Sequence, residues 1–464
     1  MPQLSVPWGH EQLELALPDD WQVEQVASPT AQRASEDWPE HLARALGQPA
    51  VGLPLGRLLA ARPRARIAIV VEDVTRHSPT PEILDVIMRE VRHARIPDER
   101  VEVVFACGMH PEMTPDKARE KLGPGLDSVR RRSNPWHDPG AYVHVGTVGK
   151  VPVRIDRGVA SADVRILVSS VSPHLQAGFG GGYKMFFPGC AAMETIRALH
   201  RLGLTRKPRQ LVGLSASANP MRRAIDAAGQ MLDAAGGTTF SVQYLLDEQD
   251  RPHAIAAGDV LPVHRMLRKR CSVDCGLVVG GQADVVIANA HPRDFDLWQC
   301  LKSIPNTMWA ARPSGVILCL ARCEAGLYGM KVPPWPISPT WTRRLVRLIG
   351  PEAVSSLLAR VSPTMAGDAA FFVRLAAHTL ARNPIVMVSP SLHAAGASFP
   401  GLRIVGSVAD GVAAARRRLG EGVQRVVVFP AGGVTYPIPA GGEPRNGRSE
   451  DASRPEDRDA SVGH

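Results

Sequence analysis

Val164-Arg165-Ile166-Leu167-Val168-Ser169 runs into Ser172–His200, SPHLQAGFGGGYKMFFPGCAAMETIRALH. The six leading residues are nearly all apolar and β-forming, the pattern of a strand buried in a parallel sheet. The loop that follows holds four glycines in five residues, Gly178, Gly180, Gly181 and Gly182. Lys184 comes next, then a Pro188-Gly189 turn and a helical run that ends in His200. Strand, glycine-rich loop and helix in succession make the repeating unit of an α/β layer. Such glycines let the backbone take positive φ and approach a ligand closely. The histidines at the two ends of the segment suit a proton-transfer group and a metal ligand.

The same unit recurs upstream. Arg66–Val71 reads as a buried strand ending in Glu72-Asp73-Val74-Thr75-Arg76. Val101–Ala106 reads as another, ending in Cys107-Gly108-Met109-His110, and Thr114-Pro115 caps a helix over 115–122. Three strand ends therefore deliver Asp73, Arg76, His110, His174 and Lys184 to one edge of one sheet, where α/β folds bind ligands. Helices are expected over 38–61, 81–94, 220–235 and 260–270. Residues 1–25 read as a hairpin closed by Pro18-Asp19-Asp20. A second set of strands is expected at 283–290, 315–320, 384–389, 403–406 and 424–429, with helices at 340–360 and 368–382. The polar loop His291–Asp294 there leads into a short helix with Trp298, Gln299 and Lys302. The expected fold class is α/β: two α/β domains with largely parallel sheets and an active-site cleft between them. Residues 1–272 form the first domain, 273–436 the second, and 437–464 a disordered tail.

Composition narrows the function classes. The 464 residues are 44% apolar and 21% charged, as in a globular protein of more than one domain. The net charge of +9 rests on scattered arginines, and aromatic content is 5%, so no nucleic-acid surface is expected. No run approaches a membrane span and the N-terminus lacks a signal-peptide pattern, so a cytoplasmic protein without membrane association is expected. The 7 cysteines read as reduced thiols. Cys271-x3-Cys275 and Cys319-x3-Cys323 lack the spacing of a zinc knuckle.

GFGGGYK fails as a phosphate loop, because its glycine spacing is wrong and Met185 follows the lysine where a hydroxyl residue belongs. It also fails as a dinucleotide fingerprint, for want of an acidic residue about 20 positions on. The ordered set is more specific. Asp73-Val74-Thr75-Arg76, Cys107–His110 with Met113-Thr114, Pro173-His174 with Gly178–Lys184 and Pro188-Gly189, and His200 occur in this order. With Asp296-Leu297-Trp298-Gln299-x2-Lys302, they resemble the lactate racemase family that uses a nickel-pincer nucleotide. Fainter echoes are Leu13–Trp21, Trp136–Pro139, Ser217–Pro220 with Arg222, and Ala257–Asp259 before His264. The resemblance extends from about residue 9 to residue 430.

The resemblance implies a racemase or epimerase that inverts C2 of a 2-hydroxy acid, lactate or a related and longer acid. It implies a cofactor, pyridinium-3,5-bisthiocarboxylic acid mononucleotide carrying nickel, bound covalently to Lys184 and cradled by Gly180, Gly181 and Gly182. His200 matches the nickel ligand, and His110 and His174 match two catalytic bases that serve opposite enantiomers while hydride passes to the cofactor. Arg76 and Lys302 match a carboxylate-binding pair, with Gln299 orienting a substrate oxygen. Asp73 has two readings: it fixes Arg76 or the cofactor, or it caps the following helix. The expected partners are the small 2-hydroxy acid and the enzymes that mature the cofactor. Where lactate-specific members carry a tryptophan, the segment 367–380 offers Phe371 and Phe372. Trp335 and Trp341 either line the pocket or only pack. Two other readings compete: a nicotinamide-dependent 2-hydroxy-acid oxidoreductase, and a non-catalytic protein that binds hydroxy acids.

Overall fold

The computed structural model describes residues 4–30, 33–203, 210–327, 338–361 and 370–439. Two six-stranded sheets organise them. The first has the order Pro252–Gly258, Thr238–Leu246, Val164–Ser170, Ile67–Val71, Val101–Phe105, Arg130–Ser133. All its pairings are parallel except the edge strand Pro252–Gly258. The second sheet is parallel throughout, in the order Leu402–Val405, Ile385–Val388, Ala311–Leu320, Ala283–Asn289, Gln424–Phe429, Trp21–Val26.

Alternation along the central strands puts successive side chains on opposite faces, and helices cover both. In the first sheet Ile67, Ile69 and Val71 join one apolar core, whereas Val70, Val104 and Leu167 join another. In the second, Val286 and Ala288 face one core and Val285 and Ile287 the other.

The strand order fixes where a ligand can sit. From Ile67–Val71 the chain builds outward through Val101–Phe105 to Arg130–Ser133. It then returns to the other side of Ile67–Val71 with Val164–Ser170. The loops leaving these two neighbours diverge, opening a crevice at their carboxyl ends. The second sheet reverses in the same way between Ala283–Asn289 and Gln424–Phe429, so the loop with Arg293 leaves its own reversal point.

Several elements differ from expectation for local physical reasons. The N-terminal hairpin pairs Ser5–Trp8 with Glu11–Glu14, so it turns at Gly9-His10 rather than at Pro18-Asp19-Asp20. Gly9 takes φ +68°, which suits that tight turn. Trp21–Val26 then leaves the hairpin and completes the second sheet beside Gln424–Phe429. The segment 38–61 forms two helices, Trp38–Gly47 and Leu55–Ala60, separated by Pro49 and Pro54. The segment 340–360 divides at Gly350, φ +92°, into Pro339–Ile349 and Pro351–Val361. At the other end, Tyr436–Pro439 pairs with Gly276–Val279, so the chain is ordered past 437, and residues 440–464 lie outside the described residues. Among the described residues, no helix is long and apolar enough to cross a membrane.

The basic run Arg130-Arg131-Arg132 is structural. It forms the edge strand beside Val101–Phe105. Arg132 donates two hydrogen bonds to the Asp156 carboxylate, at 2.6 and 2.8 Å, and lies 3.1 Å from Glu102. Asp156 is buried and also caps the helix Arg157–Ser161. Arg132→Ala strands that buried carboxylate and is expected to lower stability by about 3 kcal/mol. Urea unfolding checks this, and a loss below about 0.5 kcal/mol contradicts the assignment.

Candidate active site

The crevice is held by Glu72. Its buried carboxylate accepts from the Ser170 amide at 3.0 Å and the Ser170 hydroxyl at 2.7 Å, and from Ser78 at 2.6 Å. It ties the ends of the two diverging strands together. Next to it, Asp73 accepts from the Thr75 amide at 2.9 Å and hydroxyl at 2.6 Å through one oxygen, and meets His110 Nδ1 at 2.7 Å through the other. Burial pushes the Asp73 carboxyl up, but His110, Arg76 and Thr75 outweigh it and hold the group well below the usual carboxylate range. Asp73 is thus an anion whose partner is His110. Neither Arg76 nor a helix cap takes its oxygens, and the following helix, Thr80–His93, has Pro79 at its N-cap.

The His110 ring sits on the loop after Val101–Phe105, and Trp136 Nε1 donates to the His110 carbonyl at 3.0 Å. A carboxylate at Nδ1 selects the Nδ1–H tautomer and leaves the Nε2 lone pair free. His174 is set the other way. Its Nδ1 accepts from the amides of Gln176, at 3.2 Å, and Ala177, at 3.1 Å, so the proton of the neutral ring belongs on Nε2. Burial and then Lys184, Arg76, Lys302 and Arg222 keep the ring neutral, well below the ordinary histidine pKa. One histidine presents a base and the other a donor.

Lys184 lies in the short turn Gly182–Met185. Burial, helped by Arg76 and Arg222 and opposed by Asp73 and Glu72, brings its pKa down to about 7. The glycines before it serve the loop's own folding. Gly181 has φ +73°, and a Cβ there would meet the Ser170 carbonyl at 2.9 Å. Gly182 has φ +61°, and a Cβ would meet the His264 ring at 3.0 Å. His264 Nε2 donates to the Gly180 carbonyl at 2.8 Å, and burial keeps that histidine neutral. The buried Arg222 donates to the carbonyls of Phe179 and Gly181. Asn219 caps the helix bearing Arg222 and donates to Gln176 at 2.8 Å. The faint sequence echoes around Asn219, Arg222 and His264 are therefore the frame of the glycine loop.

His200 occupies the last turn of the helix Met193–Leu202. Among the described residues, no group of three or more His, Cys, Asp or Glu side chains could hold a metal ion. From the second sheet, Asp296 caps the helix that carries Gln299, and Lys302 Nζ donates to Gln299 Oε1 at 2.7 Å. Burial, Arg76 and Arg293 push Lys302 well below the usual lysine pKa. Trp298 packs on Phe372 at 4.6 Å between ring centroids, and Phe372 on Phe371 at 5.3 Å. Trp341 is exposed and meets Arg344 instead. Trp335 lies outside the described residues, as does the 367–369 part of the helix expected there.

The structure thus brings Asp73, Arg76, His110, His174, Lys184, Gln299 and Lys302 into one neighbourhood. The residues unassigned in the sequence are Glu72 and Arg293. Their only signal was position, since both stand in polar loops at strand ends.

Residues 8–213 match the family profile described as the lactate racemase N-terminal domain. The chain is 25% identical over 336 residues to a lactate racemase of Thermoanaerobacterium thermosaccharolyticum, covering 70% of this chain and 76% of that one. It is 24% identical over 277 residues to a lactate racemase of Lactiplantibacillus plantarum, covering 57% of this chain and 62% of that one. In fold it is similar to the T. thermosaccharolyticum lactate racemase apoprotein, with a TM-score of 0.76 and 20% identity over 94% of this chain and 100% of that one. It is also similar to a crystal structure of a Thermotoga maritima protein, with a TM-score of 0.59 and 16% identity over 89% and 99%.

A lysine reacts as its neutral amine, so a lowered pKa moves reactivity to lower pH. Acylation of Lys184, followed by peptide mass spectrometry, is expected to rise between about pH 6 and 8 and then level off, whereas exposed lysines go on rising toward about 10. A Lys184 profile matching the exposed lysines contradicts the burial argument.

Proposed function

We propose that this member of the lactate racemase family inverts C2 of a 2-hydroxy acid, lactate or a longer relative, with a nickel-pincer nucleotide tethered to Lys184. The observation that carries the reading is that the Asp73–His110 pair and His174 lie around the same two cations, Arg76 and Lys184.

The residues fit such a group. Lys184 keeps a neutral amine available near pH 7, as a covalent tether requires. A single imidazole from His200 suits a nickel ion whose other donors come from the cofactor's own sulfur and carbon atoms. Gly180, Gly181 and Gly182 form the loop against which the nucleotide is held. When bound, the cofactor accepts and returns the C2 hydrogen as hydride.

The chain's own residues supply binding and proton transfer. Arg76 offers a planar fork and Lys302 a point charge to the substrate carboxylate. Gln299, which holds Lys302, stands one helical turn away and hydrogen-bonds a substrate oxygen. His110 Nε2 accepts the hydroxyl proton as the carbonyl forms, and the Asp73 carboxylate stabilises the resulting imidazolium through Nδ1. For the product hydroxyl to take its proton from His174 Nε2 on the other side, His174 must enter the step as the imidazolium, with Nδ1 protonated and released by the Gln176 and Ala177 amides. It leaves as the neutral Nδ1–H ring, whose Nε2 is the base for the opposite enantiomer. Closure of the Arg293 loop on the glycine loop excludes water from the transfer. Enzymes that build and load the cofactor are the required partners.

The test uses protein co-expressed with those enzymes, with the two enantiomers separated by chiral chromatography. Interconversion of D- and L-lactate is expected, and His110→Ala and His174→Ala each lower it about 100-fold or more. Each variant still forms 2-keto acid from one enantiomer in a single turnover, and the two variants use opposite enantiomers. Full racemisation by His174→Ala contradicts the two-histidine account.

A further inference from the structure

Beside the second sheet, away from the crevice, one arginine is buried with donors that nothing accepts. Arg343 lies in the helix Pro339–Ile349 and is 8% exposed. Its Nε and Nη2 are both enclosed, and neither has a hydrogen-bond partner. These two nitrogens form one edge of the guanidinium, the edge whose parallel N–H groups grip two oxygens of a single anion. A buried charged donor without an acceptor is costly, and nothing in the packing of this helix offsets the cost.

The surroundings carry one sign of charge. Arg347 stands one helical turn on from Arg343, on the same side of the helix. Arg418 belongs to the last turn of the helix Val408–Leu419. Burial, then Arg347 and Arg418, bring the Arg343 pKa down to about 10, and no acidic group opposes them. Among the described residues, none of the three has a carboxylate within ion-pair distance. The adjacent arginines are engaged elsewhere: Arg344 lies over the Trp341 ring at 5.5 Å, and Arg416 pairs with Asp20 at 2.7 Å.

The fold separates this cluster from the crevice. Val408–Leu419 connects the carboxyl end of Leu402–Val405 to the amino end of Gln424–Phe429, so it runs antiparallel to the strands. Its last turn, with Arg418, therefore lies toward the amino ends of the second sheet. Arg293, Gln299 and Lys302 instead follow the carboxyl end of Ala283–Asn289. The crevice cations act on one another, and none of them acts on Arg343. A phosphate carried by a nucleotide tethered to Lys184 belongs to that crevice and not to the Arg343 edge.

We propose that Arg343, with Arg347 and Arg418, forms a second binding site, which takes the dianionic phosphate group of a small ligand, either free phosphate or a phosphomonoester. Arg343 grips two phosphate oxygens through Nε and Nη2, and Arg347 and Arg418 neutralise the remaining charge. A carboxylate fits the same edge but brings one charge to three cations. The site is independent of the racemase reading.

Thermal unfolding and calorimetry of the full-length protein test it, with inorganic phosphate, adenosine monophosphate, and acetate and chloride at matched ionic strength. A ligand that binds only the folded protein raises its Tm. Phosphate is expected to raise Tm by about 2 °C or more at saturation, and to bind about tenfold or more tighter than acetate. Tighter binding of adenosine monophosphate than of phosphate supports a phosphomonoester as the ligand, and equal or weaker binding supports free phosphate. Arg343→Met replaces an unpaired buried charge with an apolar chain, so it raises Tm in the absence of phosphate and removes the phosphate response. Arg418→Gln changes an exposed residue and weakens phosphate binding about threefold or more. A wild-type protein that responds to phosphate no more than to chloride, or that binds acetate as tightly, overturns the proposal. A phosphate response that persists undiminished in folded Arg343→Met, as binding to the crevice cations gives, overturns it as well. Where Arg343→Met does not fold, unchanged phosphate affinity in Arg418→Gln overturns it.

Discussion

The site depends on one buried carboxylate at the place where the first sheet reverses. Two parallel neighbours, Ile67–Val71 and Val164–Ser170, send their loops in opposite directions and leave a gap between their ends. Glu72 fills it and accepts three hydrogen bonds, two from Ser170 and one from Ser78. A buried carboxylate is tolerable only when its oxygens are satisfied in this way. With the gap closed, Asp73 is presented to His110 on one side and the glycine loop is presented with His174 and Lys184 on the other. The loop after Asp73 is pinned by Lys121, which donates to the carbonyls of Arg76 at 2.6 Å and Ser78 at 3.1 Å.

Around that fixed point the electrostatics are unbalanced. Cations from both sheets converge, and burial depresses the pKa values of Lys184, Lys302 and Arg293. The same field keeps His174 neutral, whereas the Asp73 carboxylate occupies Nδ1 of His110. Two identical side chains are therefore driven to opposite tautomers by what hydrogen-bonds their Nδ1 atoms. A reaction that must move a proton on either side of one carbon begins, in this resting state, from unequal sides.

Much of the fold was legible because apolar runs mark buried parallel strands plainly. The strands near 67, 101, 164, 283, 316 and 424 stand where the sequence placed them, and so do the helices Pro115–Leu122 and Pro220–Ala235. The misses have common causes. Arg130–Ser133 carries charges because it is an edge strand, and its Arg132 pairs with Glu102 and Asp156, both distant in sequence. Trp21–Val26 looked like half of a hairpin, since local alternation cannot reveal a partner some 400 residues away. At the site, the residue types and their strand-end positions could be read in advance. The partnership of Asp73 with His110 and the approach of Arg293 to Ser172 could not, because each joins loops from different strands, and the amides on His174 Nδ1 could not, because they depend on how the loop turns just after His174. The glycines were read as room for a ligand, whereas Gly181 and Gly182 have protein atoms in the space a Cβ would need.

The central claim is that Lys184 carries the cofactor, and intact-protein mass spectrometry tests it most directly. Protein co-expressed with the cofactor-building enzymes is compared with protein made without them and with Lys184→Ala. The account predicts an adduct containing nickel and sulfur, mapped to Lys184, in the first sample alone. Folded wild-type protein without that adduct under the same conditions, or an adduct that survives in Lys184→Ala, contradicts it.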